Sequence, residues 1–164
     1  MVIINKDNLP QILDIYQDTK IKINLKNQNL DYKLEINIHS GTLDLQEKYQ
    51  NNLGKFELEI NLFGDDCGVF QECKIAQKSG LFIWKSQIMI IGLNCFVRQY
   101  NKNFILANTG QISAIPTLKI YTPIIKYAKH GSNSVFLDEE QLWYLQNRGI
   151  KDPIKLLIQD FFKK

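Results

Sequence analysis

The sequence predicts a mainly β fold that ends in two short helices. Three runs, at 20–26, 31–39 and 55–63, alternate apolar and polar residues, and this period of two is typical of strands with one buried face. Glycine, asparagine and aspartate punctuate the runs, and the connections are short, without a convincing crossover helix. Apart from a short segment at the start of the chain, helical signals appear only after residue 137. A sandwich of hairpins and a coil of stacked short strands both satisfy this pattern.

The first 18 residues are expected to form a short helical segment. Asn8 can cap a helix, Pro10 suits its first turn, and apolar residues follow at 12, 13, 15 and 16. After the three alternating runs, denser apolar stretches at 80–97, 103–107 and 117–121 predict strands with less solvent contact. Turn residues at 27–29, 64–66, 92–94 and 108–110 separate the strands.

The last quarter of the chain predicts a helical hairpin. Asp138 and Gln141 have the spacing of a capping box, and Gly149 is a natural stop for the helix that begins there. Asp152 and Pro153 can cap and open a second helix. Four apolar residues of the second helix fall on one face, namely Ile154, Leu157, Ile158 and Phe161.

Composition and charge limit the classes of partner. The chain has 164 residues, of which 45% are hydrophobic, as expected of one globular domain. Its formal net charge is +3, and the lysines are scattered through alternating runs, which indicates solvated strand faces and no nucleic-acid partner. No apolar run reaches the roughly 20 residues of a membrane span, and the first residues lack the pattern of a signal peptide. A cytoplasmic protein without a membrane partner is therefore expected.

The residues that carry chemistry are sparse, which predicts a protein that is not an enzyme. No phosphate loop, GxGxxG, nucleophile elbow or HExxH is present, and the two histidines limit base catalysis. His39 is expected on an exposed strand face. Three cysteines without CxxC spacing argue against disulfides and a zinc knuckle, and Cys95 is expected in the core.

The stretch GDDCGVFQEC, at 64–73, has two interpretations. A soft or mixed metal site could use Asp65, Asp66, Cys67 and Cys73. A turn rich in glycine and aspartate that leads into a strand explains the same residues, and we favour the turn.

Four segments in the second half of the chain resemble a known family. They are GLFIWKSQIMI at 80–90, RQYNKNFILA at 98–107, SAIPTLKIY at 113–121 and HGSNSVFLDEEQLWYLQNRGI at 130–150. Together they resemble the SufB/SufD family, the scaffold proteins of the SUF iron–sulfur cluster assembly machinery. The last segment is the most specific, and its His-Gly followed by Leu-Asp-Glu-Glu-Gln-Leu is closer to SufD than to SufB. The resemblance covers roughly residues 55–162 of a chain that is shorter than typical family members.

The resemblance implies a fold and partners. The expected fold is mainly β, a right-handed parallel β-helix of stacked short strands at 19–130 with a C-terminal helical hairpin at 131–164. The family implies a non-enzymatic scaffold subunit that binds a SufC-type ABC ATPase through the hairpin and pairs with a SufB-type subunit or in a homodimer. The implied ATPase-docking residues are Asp138, Glu139, Glu140, Gln141, Leu142, Trp143, Tyr144, Leu145, Arg148, Gly149 and Phe161.

The resemblance also implies a role for His130, which matches the family histidine implicated in building the nascent cluster between subunits. This chain departs from the family near that position. Ala128 stands where SufD-like chains often have cysteine, and the region of Gly110 offers no thiol. The interval from Pro116 to His130 is one residue longer than usual, which predicts a β-bulge. We therefore expect no stably bound cofactor, only a transient iron–sulfur cluster shared with a partner.

A second hypothesis treats the chain as a stand-alone protein that binds a metal, an iron–sulfur cluster or sulfur. Its candidate ligands are Cys67, Cys73, Cys95 and His130.

Overall fold

The computed structural model describes residues 1–106 and 109–163, with the backbone alone for Lys6. The strands are β1 Val2–Ile4, β2 Ile12–Ile15, β3 Thr19–Lys26, β4 Asn29–Ile38, β5 Thr42–Gln50, β6 Leu53–Leu62, β7 Gly68–Gln77, β8 Gly80–Ile90, β9 Cys95–Leu106, β10 Gly110–Ile120 and β11 Ile125–Leu137. The helices are α1 Glu139–Asn147 and α2 Pro153–Lys163. Ala107, Asn108 and Lys164 lie outside the described residues, and so do the end of the strand predicted at 103–107 and the start of the turn predicted at 108–110.

The strands form two parallel sheets that wind into a β-solenoid. The odd-numbered strands make one sheet in the order β1-β3-β5-β7-β9-β11, and the even-numbered strands make the other in the order β10-β8-β6-β4-β2. Each strand pairs in parallel with the strand two positions along the chain, so each coil contributes one strand to each sheet. The prediction of a parallel β-helix of stacked strands with a C-terminal helical hairpin is therefore confirmed, and the hairpin sandwich is excluded.

The core lies between the two sheets, where alternate residues of every coil point inward. Tyr49, Phe56 and Phe82 meet there, with ring centroids 5.3 Å apart for Tyr49–Phe56 and for Tyr49–Phe82. Trp84 is fully buried beside them. Side chains at the same position of successive coils stack on one another, because the register of the parallel strands is continuous across the solenoid.

One row of turns brings the backbones of successive coils into direct contact. A Cβ added to Gly64 would overlap the carbonyl oxygen of His39, and a Cβ added to Gly92 would overlap that of Gly64. Both glycines also donate backbone hydrogen bonds to the preceding coil, at 3.2 Å from Gly64 to Ile38 and 3.0 Å from Gly92 to Leu62. The coils stack this closely only because these positions lack a side chain.

Replacing Gly64 with alanine is expected to lower the free energy of unfolding by about 1–3 kcal/mol, the usual cost of overpacking. The clash involves backbone, which cannot move aside without separating two coils. Chemical unfolding in urea measures the effect. Gly131→Ala is the control, because its new methyl group would lie 3.3 Å from Cε1 of the Tyr100 side chain, which can rotate. Equal stabilities of the two variants would contradict this explanation.

The predicted N-terminal helix is wrong. Residues 2–4 and 12–15 are strands, and only Lys6–Asn8 forms a short 3₁₀ turn, capped by Asn5. The apolar residues at 12, 13, 15 and 16 fit a helical face, but β2 pairs with β4, from Ile12 opposite Glu35 to Ile15 opposite Ile38. Pairing with an existing sheet outweighs the weak local preference for a helix.

The last strand runs past the predicted end of the β-helix core. β11 continues through His130 to Leu137, so the boundary drawn at residue 130 falls inside a strand. Its register against β9 shifts between Ile125 and Tyr127. The predicted bulge between Pro116 and His130 is thereby confirmed, and it places His130 opposite Gln99.

A second apolar cluster attaches the helices to the solenoid. Ile158 of α2 is 4% exposed and packs with Phe104, Leu106 and Leu137 at the ends of β9 and β11. Phe161 adds a ring contact with Phe104, with centroids 5.7 Å apart. The apolar stripe predicted on the second helix is therefore the face that packs on the coil.

Candidate functional site

The first helix is fixed by its N-terminal cap. Asp138 Oδ1 accepts a hydrogen bond from the Gln141 backbone N–H at 2.8 Å, and Gln141 Oε1 accepts one from the Asp138 N–H at 3.2 Å. This is the predicted capping box. Glu139 and Glu140 occupy the first turn, where their charges favour the helix dipole.

Helix α1 has no buried residue. Each of its nine residues is at least partly exposed. Trp143 is 65% exposed and Tyr144 is 53% exposed, while Leu142 and Leu145 are half-buried toward the solenoid. The helix therefore offers two large aromatic side chains to solvent, in the composition typical of interface anchors.

The end of α1 is set by a left-handed glycine. Gly149 has φ +82°, and its N–H donates to Gln146 O at 2.9 Å, which is the stop that the sequence predicted. The Arg148 guanidinium lies 5.2 Å from the centroid of the Tyr144 ring. Arg148 and Tyr144 thus form one cation–aromatic pair on the exposed side of the hairpin.

An apolar groove of about 540 Å³ runs between α1 and the end of β11. Val135 and Phe136 line it and are 49% and 63% exposed, and Tyr144 and Leu145 form the opposite wall. Phe161, predicted as a docking residue, instead directs its described ring contacts to Phe104 and Phe162. The exposed apolar surface therefore belongs to α1 and β11.

His130 lies on β11, the last strand of its sheet, and its side chain is exposed. It lies opposite Gln99 on the inner side of the coil. The next two inward positions form hydrogen bonds between β11 and β9. Ser132 Oγ donates to Asn101 Oδ1 at 3.0 Å, and Asn103 Nδ2 donates to Ser134 Oγ at 3.1 Å. An imidazole nitrogen is a chemically competent metal ligand. His130 thus stands at an open end of the solenoid.

Polar side chains occupy the interior behind His130. Glu47 is 1% exposed and its carboxylate accepts hydrogen bonds from Tyr49 Oη at 2.7 Å, Trp84 Nε1 at 3.0 Å and Gln71 Nε2 at 2.5 Å. Burial raises the pKa of Glu47, and the hydrogen bonds oppose that rise only in part. Gln99 Nε2 donates to Gln71 Oε1 at 2.9 Å, which continues the network toward the coil that carries His130.

The three cysteines are buried and reduced. Cys95 Sγ lies 3.3 Å from Gly64 O, which confirms its predicted place in the core. Burial raises the pKa of the thiols of Cys67, Cys73 and Cys95. The thiolate is the form of cysteine that binds a metal ion, so a raised pKa makes these thiols poor metal ligands.

The stretch 64–73 is the predicted turn into a strand. Asp65 Oδ1 accepts a hydrogen bond from the Leu93 N–H at 2.7 Å, and Asp66, at φ +57°, pairs with Lys126 at 2.9 Å. Across residues 1–106 and 109–163, no group of three or more His, Cys, Asp or Glu side chains could hold a metal ion. The structure does not bring Cys67, Cys73, Cys95 and His130 together, and the stand-alone metal-site hypothesis loses its geometric basis.

His39 is exposed, as predicted. Its ring stacks between Tyr16 and Phe63, with centroids 4.7 and 5.7 Å away, and its Nε2 lies 3.2 Å from Asp14 Oδ1. These contacts are at the end of the solenoid remote from β11, because β2 and β4 are at that edge of their sheet.

Sequence reasoning missed the two open sheet edges beside His130. β10 and β11 are the last strands of their sheets, and their inner side chains Ile112, Ala114, Leu118, Ile125 and Ala128 are only partly buried. Pro116 lies on β10, where an edge strand tolerates a residue without an N–H donor. The half-covered last coil could have been anticipated only once the order of strands was known.

The two helices are short, with 9 residues in α1 and 11 in α2. Among the residues that the structure describes, neither α1 nor α2 is long and apolar enough to cross a membrane.

The fold and the site define a parallel β-solenoid whose open end carries an exposed helical hairpin. The family described as SUF system FeS cluster assembly, SufBD core domain, matches residues 73–161, which include the open coil, His130, α1 and most of α2. Because the match covers more than half of the chain, this chain belongs to the SufBD family.

Curated relatives agree with this assignment. An iron–sulfur cluster assembly SufBD family protein of Mycobacterium leprae is 34% identical over 86 residues, which are 49% of this chain and 21% of the relative. Proteins of the same description from Mycobacterium bovis and Mycobacterium tuberculosis are 31% identical over 86 residues, with the same coverage. The match thus spans about a fifth of the length of these relatives. Membership supports a role in iron–sulfur cluster assembly.

Proposed function

We propose that this chain is a non-enzymatic, SufD-like scaffold subunit of iron–sulfur cluster assembly that works in the cytoplasm. In this role α1 and α2 dock a SufC-type ABC ATPase, and the open end of the solenoid pairs with a SufB-type subunit or with a second copy. The observation that carries the proposal is the exposure of Trp143 and Tyr144 on a helix that lies within the SufBD family match.

Docking is supported by the way the hairpin is built. α2 uses its apolar stripe to attach to the coil, whereas α1 keeps its aromatic residues and the Arg148–Tyr144 pair in solvent. Exposed apolar groups of this kind are typical of interaction sites, and a partner that covers the two aromatic side chains gains apolar burial. The adjacent groove at Val135 and Phe136 extends the same apolar surface.

The experiment is to mix this protein with the SufC-type ATPase of its own genome. Size-exclusion chromatography with light scattering should show one peak with the mass of a complex. Two separate peaks at micromolar concentrations of both proteins would contradict the proposed function.

Pairing is supported by the open end of the coil. The outer edges of β10 and β11 offer backbone groups, and the half-covered side chains beside them offer apolar surface, which is what strand addition requires. His130 lies on this end and is the residue that a paired subunit would reach. The cluster in this proposal is cargo that is held transiently with the partner, to which this chain contributes His130.

Replacing Ala128 with lysine is expected to weaken pairing at least tenfold. Ala128 lies half-buried on the inner side of the last coil, opposite Val97, so a partner there would have to bury the new charge. In the free protein the lysine can reach solvent. Sedimentation velocity at several concentrations measures the dissociation constant of a homodimer or of the complex with a SufB-type subunit.

Asn24→Lys is the matched control, because it adds the same charge at an exposed position of β3, four strands away from β11 in the same sheet. Equal dissociation constants for wild type and Ala128→Lys would contradict pairing through the open end.

A further inference from the structure

A basic cleft lies between one row of turns of the solenoid and helix α2. Its volume is about 760 Å³. One wall is built from residues at the β3–β4, β5–β6 and β7–β8 connections, and the other is the face of α2. Neither the aromatic residues of α1 nor the edges of β10 and β11 line it, so the aromatic surface of α1 and the pairing edges do not account for it.

Charge is concentrated in this cleft. Among the described residues that line it, the charged side chains are Lys26, Lys48, Lys78, Lys155, Lys163 and Asp152. The whole chain carries a formal charge of only +3, so the cleft alone has a larger positive charge than the protein. The single aspartate is already engaged, since Asp152 Oδ1 accepts a hydrogen bond from the Lys155 backbone N–H at 3.0 Å.

The fold sets the backbone positions of these lysines, and it also fixes the side chain of Lys48. Lys48 Nζ donates to the Phe162 carbonyl oxygen at 3.0 Å and lies 5.9 Å from the centroid of the Phe162 ring. Lys26 ends β3, while Lys155 and Lys163 stand two turns apart on α2, about 12 Å along its axis. The cleft therefore has lysines along both walls over the length of several residues of an extended chain.

We propose that this cleft binds an acidic segment of the ATPase-type partner that docks on the helical hairpin. The inference rests on the proposed function and deepens it, because α2 is at once one wall of the cleft and half of the hairpin. A partner seated on α1 and α2 would reach the cleft by passing over α2. Carboxylates spaced along such a segment meet the two rows of lysines.

The lining favours a protein segment over a nucleic acid. The cationic residues described in the cleft are lysines, which act as point charges, whereas arginine gives the bidentate contacts preferred by phosphate. Binding of single-stranded nucleic acid also relies on free aromatic faces for the bases. Phe162 is the aromatic residue among the lining residues of this cleft, and its ring is already occupied by Lys48 and Phe161.

Binding of fluorescein-labelled octaglutamate to the whole protein tests the cleft directly. Fluorescence anisotropy at 50 mM NaCl should show binding that weakens at least tenfold at 300 mM NaCl, because the attraction is screened. The double variant Lys26→Glu, Lys155→Glu should lose it, since both side chains are exposed and can change sign without unfolding the protein. Lys26→Arg, Lys155→Arg keeps the charge and should retain it, as should Lys22→Glu, an exposed lysine of β3 outside the cleft.

The same variants, titrated with the SufC-type ATPase, separate the two proposals. An affinity for the ATPase at least tenfold lower in the Glu double variant supports the cleft as part of docking. If the Glu double variant binds the ATPase as tightly as wild type does, the cleft inference is wrong, whereas docking on α1 is unaffected. If the ATPase fails to bind wild type while octaglutamate binding still depends on the lysines, docking fails and an acidic-segment site remains. Tighter binding of labelled octauridylate than of octaglutamate overturns the choice of a protein segment.

Discussion

Replacing Trp143 and Tyr144 together with alanine is expected to weaken binding of the SufC-type ATPase about 100-fold or more. Two exposed aromatic anchors commonly contribute about 2 kcal/mol each when a partner covers them, and each 1.4 kcal/mol is a factor of ten. The Arg148 guanidinium would also lose the Tyr144 ring on which it lies. Isothermal titration calorimetry with the purified ATPase measures the loss.

The stability of the free protein should hardly change in this variant. Both side chains are more than half exposed, and the half-buried Leu142 remains to hold α1 on the second apolar cluster. Tyr16→Ala, Phe63→Ala is the matched control, because it removes two partly exposed rings at the other end of the solenoid. An ATPase affinity within threefold of wild type for the Trp143 and Tyr144 variant would show that α1 is a fold element and not the docking surface.

The helices of the candidate site were predictable from sequence because their signals are local. The capping box of Asp138 and Gln141 and the glycine stop at 149 fix α1 within its own residues, and the structure has both. The surroundings of the site were not predictable in this way. In the cleft, Lys48 contacts Phe162, which is 114 positions away in the sequence, and no local sequence pattern predicts that contact.

Apart from β1 and β2, whose region was predicted as a helix, the strand that sequence analysis missed is β5, which has a polar residue on its inner side. β5 alternates through Leu43, Leu45 and Tyr49, but Glu47 occupies the inward position between them and breaks the apolar pattern. In β7 the break is Gln71, and in β11 the inner positions at the open end are polar. Alternation of apolar and polar residues reports burial in a core that is apolar, so it fails where the interior contains a hydrogen-bonded network.

That network makes Glu47 a position of large effect on stability. Replacing Glu47 with alanine is expected to lower the free energy of unfolding by about 3–5 kcal/mol, because it leaves a cavity and deprives three buried donors of their acceptor. Those donors are Tyr49 Oη, Trp84 Nε1 and Gln71 Nε2. Urea unfolding at pH 7 measures the loss, and a change below about 1 kcal/mol would mean that water replaces the carboxylate at no cost.

Glu47→Gln separates the charge from the packing through the pH dependence of stability. Burial raises the pKa of Glu47 above its ordinary value of 4.5, so its contribution to stability is complete below pH 4.5 and is lost as the pH rises through the pKa of the folded state. The unfolding free energy of wild type should therefore fall between pH 5 and pH 8 more than that of Glu47→Gln. The buried thiols and Tyr49 do not interfere, because their ordinary pKa values of 9.0 and 10.0 are raised further above this window. Parallel curves for the two proteins would mean that the buried carboxylate has the same pKa in the folded and unfolded chains, and that the donors around it fully offset its burial.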